Sequence, residues 1–260
     1  MSRKALVTGA SRGIGRAVAL ELARAGYDLG INCFHHEKEA LEVAEAVIAE
    51  GRQALVLRAD VGEKAQIDRM FDRFFEHFEH IDLLVNNAGV SMFMPFLEVT
   101  EALWDTVTKV DWKATYFCAQ RAARDMAQGG RGGVIINMSS NQKDGCWPTA
   151  SVYGSTKMAV AKFTRHAAFE LARYGIRVIA IAPGYTDVGW PPGNPINEAK
   201  QKIPLRRFAT PEEIARVVRR LVSEEFSYMT GSCLDIDGGA LLPVVMENDL
   251  DQTWSSTKLE

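Results

Sequence analysis

A chain of 260 residues with 47% hydrophobic content is long enough to bury a large core and fits a single α/β domain. Its 30 basic and 33 acidic residues leave a net charge of -3, which offers no electrostatic footprint for nucleic acid or an anionic membrane. Four scattered cysteines (Cys33, Cys118, Cys146, Cys233), with no C-x-x-C and no long apolar run, exclude a disulfide framework, a zinc site and a membrane span, so a soluble cytoplasmic protein is expected.

In chain order, the apolar run KALVT predicts a first strand, followed by TGASRGIG and a helix over 13–25. LGINCF and QALVLR predict strands leading into helices over 37–50 and 64–78, and IDLLV a fourth strand. In the second helix Ala40, Ala44, Val47 and Ile48 form one stripe while Glu42, Glu45 and Glu50 lie elsewhere, so one face packs and the other is wet. GGVIINMSS, a helix over about 151–174, IRVIAIA, a helix opened by the capping box of Thr210, Pro211 and Glu213, and the strand SCLDID complete the pattern. Alternating strands and helices predict a parallel sheet covered on both faces. The segment GWPPGNP interrupts it, so a substrate flap is expected at about 187–207 within a domain spanning 1–246, ahead of a polar tail, 247–260.

Two places carry chemistry. Gly9, Gly13 and Gly15 follow the first strand and open a helix, presenting bare N–H groups and a positive helix end where a pyrophosphate would sit. Farther on, Tyr153 and Lys157 stand at i and i+4, on one face of a helix. An ammonium beside a phenol favours the phenolate, which is what proton exchange near neutrality requires. Taken alone, the pair reads more readily as an exposed polar couple, because Tyr-x-x-x-Lys arises cheaply by chance.

Its setting separates these readings. TGASRGIG, NNAG at 86–89, a serine thirteen residues before the tyrosine of YGSTK, and APG at 182–184 occur in that order over nearly the whole chain. Together they resemble the short-chain dehydrogenase/reductase family. The resemblance implies a doubly wound Rossmann-type domain with a mainly parallel seven-stranded sheet, binding NAD or NADP and interconverting alcohols and ketones. It implies Tyr153 as proton donor, Ser140 as hydrogen-bond partner of the carbonyl oxygen, and Lys157 on the cofactor ribose. MSS offers Ser139 and Ser140, which strand alternation sends to opposite faces, and the thirteen-residue spacing selects Ser140. At the family's catalytic asparagine this chain has Asp111, seven residues beyond Trp104 and expected to act by favouring protonated Lys157. Five residues after the proline of APG, where the family often has threonine, stands Val188, so Thr186 is the candidate for the nicotinamide carboxamide.

For the cofactor, the resemblance places Gly9, Ser11, Arg12, Gly13, Ile14 and Gly15 around the phosphates. It places Asp60 and Val61 at the adenine, Asn87, Ala88 and Gly89 at the supporting strand end, and Pro183 and Gly184 near the nicotinamide. An acid ending the second strand would bind the adenosine ribose and repel a 2′-phosphate. Cys33, Phe34 and His35 occupy that stretch with no acid before Glu37, and Arg12 offers a bidentate fork, so NADP is expected, with NAD the alternative.

The substrate signals conflict. Asn141, Gln142, Lys143 and Asp144 before Trp147 suggest a hydroxylated or charged substrate, whereas Met92, Phe93, Met94 and Phe96 suggest an apolar one. The chain resembles 3-oxoacyl-[acyl-carrier-protein] reductases, for which Arg124, Arg131 and Arg173 would be a docking patch, and also glucose 1-dehydrogenases through INMSS and SYMTG…DGG. A nucleotide-sensing protein without turnover is a third reading. It predicts a damaged catalytic set, yet Ser140, Tyr153 and Lys157 are all present. The resemblance also implies a homotetramer with the Tyr153 helix and the last strand at interfaces, and the residue spacing suggests no metal.

Overall fold

The computed structural model describes residues 2–191 and 193–242; the polar tail at 247–260 lies outside the described residues. Seven strands form one sheet: β1 (Arg3–Val7), β2 (Tyr27–Cys33), β3 (Ala54–Arg58), β4 (Leu83–Asn86), β5 (Gly133–Met138), β6 (Ile176–Pro183) and β7 (Cys233–Ile236). Their order is β3-β2-β1-β4-β5-β6-β7, and every neighbouring pair is parallel. The chain reverses its winding between β1 and β4, and the crevice beyond the C-terminal strand ends at this switch point is where such a sheet binds ligands.

Helices cover both faces because the central strands are apolar on both. All seven residues of β2 are buried, as parallel packing between two helical layers demands. One face carries α1 (Gly13–Arg24), α2 (Glu37–Ala49) and α7 (Pro211–Leu221), with Val18, Leu22, Val43 and Ile214 in their shared core. The other carries α3 (Lys64–Phe78), α5 (Ala114–Gln128) and α6 (Ser151–Leu171), centred on Phe71, Phe74 and Met126. Gly30 makes the second packing possible, since a Cβ there would lie 2.7 Å from the Phe74 ring. Each buried phenylalanine contributes roughly 1.5–3 kcal/mol from apolar burial.

The capping box expected at α7 is formed. Thr210 Oγ1 accepts from Glu213 N at 3.2 Å, and the Glu213 carboxylate accepts from Thr210 N at 2.9 Å. Arg207, donating to both carboxylate oxygens, and then the Thr210 N–H hold the Glu213 carboxyl down at about 2. Between β4 and β5 the chain forms α4 (Glu101–Val107), then a π-helical turn over Thr108–Lys113 that contains Asp111, then α5. α6 ends at Leu171, and a 3-10 turn over Ala172–Tyr174 finishes the predicted span at Gly175, which adopts a φ of +70°. Among the described residues no helix is long and apolar enough to cross a membrane.

Candidate active site

The glycine turn is clamped from three sides. Thr8 Oγ1 accepts from Asn87 N and Ala88 N, both at 3.0 Å, and Asn87 Nδ2 donates to Thr8 O at 2.9 Å and Gly9 O at 3.0 Å. Asn32, buried at the end of β2, accepts from Gly9 N at 3.2 Å and donates to Leu57 O and Ala59 O. Sequence reasoning missed Thr8 and Asn32 as site-building residues, because their partners lie on other strands. Gly9 has φ +61°, and a Cβ on it would lie 2.9 Å from Ala88 Cα. A Cβ on Gly15 would lie 2.3 Å from Gly9 O, so both positions require glycine.

This turn fits a dinucleotide diphosphate. Arg12 caps α1 without a side-chain hydrogen bond and no acid occupies the first turn, leaving the N–H groups and positive helix end for an anion. Ser11 is buried beneath, and Ile14 packs into the core. At the β2 rim Cys33 is buried, so Phe34 and His35 are the exposed side chains, their ring centroids 3.9 Å apart. Arg58, the register partner of Cys33 and unremarked in the sequence, adds a second exposed guanidinium, paired with Glu37 at 3.4 Å. Asp60 folds back to accept from Gly62 N at 2.8 Å, and the Val61 side chain is in the core.

Tyr153, Lys157 and Asp111 meet beyond the ends of β4 and β5, with the turn that follows Ser140 packed against the start of α6. β5 ends at Met138, and the next two serines part ways, as alternation requires. Ser139 Oγ donates to Lys157 O at 2.7 Å and ties the strand end to α6. Ser140 Oγ accepts from Gln142 N at 3.2 Å, capping a short 3-10 turn over Asn141–Lys143. That turn abuts the start of α6 because residue 154 is glycine, whose Cβ would stand 3.0 Å from Gln142 O. On α6, the Lys157 ammonium lies 5.4 Å from the Tyr153 ring centroid and donates to Met138 O at 3.3 Å. Its charge partner is Asp111, with Oδ2 2.9 Å from Nζ, and both side chains are nearly inaccessible, at 0% and 5%. Asp111 Oδ1 accepts from Val90 N at 2.7 Å, while Thr115 Oγ1 donates to Asp111 O at 2.8 Å, securing the π-helical turn. Gly89 leaves the room required, since a Cβ there would stand 3.2 Å from Asp111 Oδ2 and 3.4 Å from Lys157 Nζ. Burial works against the ammonium, yet the Asp111 carboxylate, followed by Tyr153, outweighs it and holds the Lys157 pKa above the ordinary lysine value.

The chain leaves β6 at Pro183 and Gly184, where a Cβ on Gly184 would stand 2.7 Å from Asp237 Cβ. Thr186 Oγ1 is turned to Gly184 O at 3.2 Å, while Val188 reaches the glycine turn, 3.5 Å from where a Gly13 Cβ would be. The arginines considered for docking do not border this site. Arg124 lies in the second half of α5, Arg131 just before β5 and Arg173 just before β6, at the strand starts rather than their C-terminal ends. Arg131 is also paired with Asp125 at 3.0 Å.

Comparison with known proteins agrees with this geometry. Residues 9–240 match a family model described as enoyl-(acyl carrier protein) reductase. The chain is 36% identical over 245 residues to the uncharacterized oxidoreductase YohF of Escherichia coli, covering 93% of this chain and 97% of that one. Acetoin dehydrogenase YohF from Salmonella typhimurium superposes with a TM-score of 0.86 at 34% identity, covering 94% and 98% of the two chains. A short chain dehydrogenase from Burkholderia cenocepacia, solved in complex with NADP, superposes with a TM-score of 0.87 at 32% identity, covering 92% and 97%.

Proposed function

Because the chain belongs to the short-chain dehydrogenase/reductase family, an NAD(P)-dependent oxidoreductase acting at CH–OH carbons, we propose that it interconverts a ketone or aldehyde and its alcohol using NADP(H). The observation that carries the catalytic assignment is the buried Lys157 ammonium held between Asp111 and Tyr153, beside the Ser140 turn.

In reduction, Tyr153 gives its hydroxyl proton to the carbonyl oxygen, and in oxidation it takes that proton back. Ser140 accepts from Gln142 N, so its own hydroxyl hydrogen remains available to the same oxygen. Lys157 stabilises the negative charge left on Tyr153, and its raised pKa keeps it an ammonium well into alkaline pH. Asp111 holds that ammonium in place. The nicotinamide cofactor supplies the hydride when bound, with the glycine turn holding its phosphates and Lys157 its ribose. NADP is favoured by the acid-free β2 rim and by the exposed guanidinium groups of Arg12 and Arg58. The Burkholderia relative's complex with NADP supports the same choice.

The carrier-protein reading rests on resemblance and on the family model's description, since the candidate arginines lie at the opposite end of the sheet. A homotetramer belongs to this reading, as does a cytoplasmic setting, with which four free cysteines agree. The test follows nicotinamide absorbance with NADPH and with NADH against a panel of ketones, sugars and acyl thioesters. NADPH is expected to be the better donor, and Tyr153→Phe to lower kcat by about 10²–10⁴. Equal turnover by the wild type and Tyr153→Phe would exclude this mechanism.

A further inference from the structure

The conflict between the polar and apolar substrate signals is decided by where the polar side chains go. Asn141 is buried, and its Nδ2 points to Asp237 Oδ2 at 3.5 Å, beneath the turn that Asp237 ties through Gly239 N and Leu241 N. The Gln142 Oε1 atom is buried without a hydrogen-bond partner among the described residues, and the half-exposed Asp144 carboxylate pairs with Lys143. Lys143 is sequestered between Asp144 and Asp235 on β7, the latter at 2.9 Å. Asn141 and Lys143 are thus committed to the protein. Trp147 remains, and its indole N–H donates to Tyr185 Oη at 3.1 Å, with Tyr185 stacked on Phe208 at a centroid distance of 5.4 Å and an angle of 21°.

On the other side of Tyr153 the wall is apolar and open. Phe93 stands edge-to-face against Tyr153 with centroids 5.6 Å apart, yet remains 46% exposed, beside the exposed Met92. The loop that carries it is anchored by Met94 N donating to Thr149 O at 2.9 Å and by the packing of Val90 and Met94 with Tyr153, Val152 and Leu103. Phe93 is therefore an anchored aromatic ring beside the proton donor with its other surface uncovered.

Resting on the reading of Tyr153 as proton donor, we propose that Phe93 is a specificity-determining residue and that the preferred substrate is an aryl ketone or the matching aryl carbinol, its ring packed on Phe93. Aromatic pairs gain beyond simple area burial, by an amount that corresponds to roughly 2- to 12-fold in kcat/KM. Asn141 and Lys143, which could have met the hydroxyls of a sugar, are engaged with Asp237 and Asp235.

The experiment compares kcat/KM for acetophenone, cyclohexyl methyl ketone, acetoin, glucose and a 3-oxoacyl thioester, in the wild type and in Phe93→Leu, with Tyr153→Phe as the blank. The saturated ring matches the aryl ring in size, so the ratio of the first two isolates aromatic recognition. That ratio is expected to favour acetophenone in the wild type and to fall by roughly 2- to 12-fold in Phe93→Leu. Thermal unfolding of Phe93→Leu checks that the variant folds, and an Phe93→Tyr variant, which keeps the ring, should retain the ratio. Tyr153-dependent turnover with no aryl preference, with a ratio insensitive to Phe93→Leu, or with glucose or the thioester favoured overturns this inference while leaving the oxidoreductase assignment standing. Turnover that survives Tyr153→Phe undiminished, or no turnover of any compound, overturns the assignment beneath it and the inference with it.

Discussion

The two oxygens of Asp111 do different work: Oδ1 accepts from the Val90 N–H, and Oδ2 faces the Lys157 ammonium. An asparagine supplies one acceptor, so in Asp111→Asn either the N–H or the ammonium must face an NH₂ group. With the carboxylate gone, burial dominates and the Lys157 pKa falls, moving the alkaline limb of the kcat/KM profile to lower pH. The stability effect has the sign of a raised lysine. It is fully present below the unfolded lysine value, near about 10.4, and is lost as pH rises through the higher folded value. Denaturant unfolding should therefore show Asp111→Asn weakened by about 3–5 kcal/mol at neutral pH, with the gap narrowing above the ordinary lysine pKa. Superimposable pH–rate profiles would show that Asp111 does not set the charge on Lys157. Tyr153, Lys157 and Ser140 were nominated in the sequence by motif spacing that resembles the family's, while helical spacing and strand alternation, which are local, set which way they face. Thr8 and Asn32 were not, since their hydrogen bonds cross 79 and 23 residues of chain.

At the scale of the element, the strand–turn–helix unit around Gly9 is the most constrained. Gly9→Ala would meet the Ala88 backbone at 2.9 Å in a left-handed conformation, and a backbone atom cannot swing aside as a side-chain tip can. The expected result is a loss of more than about 1 kcal/mol in stability together with weaker cofactor binding. Gly51→Ala, at φ +74° with nothing within 4 Å, is the control that carries the backbone penalty alone. Thermal unfolding and a fluorescence titration with NADPH separate the two, and intact NADPH affinity in Gly9→Ala would contradict this account. The helices over 13–25, 37–50 and 64–78 were readable to within a residue, because their apolar stripes are written locally and glycines follow the first two. The π-helical turn was not, since one extra residue in a turn leaves no trace in hydropathy and depends on what Asp111 and Thr115 bond.

At the scale of the molecule, two separate apolar surfaces support the proposed tetramer. One lies on α5 and α6, where Tyr116 packs with Trp112 and Phe163 yet stays 40% exposed, and where Phe169 is 87% exposed. The other is a groove at the sheet edge, lined by Val217, Leu221, Phe226 and Leu234. Two unlike patches, each paired with its own copy about a two-fold axis, would generate a closed tetramer with two kinds of dimer contact. Light scattering is expected to give four chains for the wild type and two for the double variant Tyr116→Glu/Phe169→Glu; a monomeric wild type would refute the arrangement. The sequence by itself determined the order of strands and helices, because side-chain periodicity decides it within a few residues, and it nominated the phosphate-binding glycines and the Ser140, Tyr153 and Lys157 set through motif spacing that resembles the family's. Only the tertiary structure decided that Asp111 grips Lys157 and that Asn141 and Lys143 beside Ser140 are taken up by Asp237 and Asp235. A polar side chain's role depends on which distant partner reaches it first, and that partner is brought near only by the folding of the whole sheet.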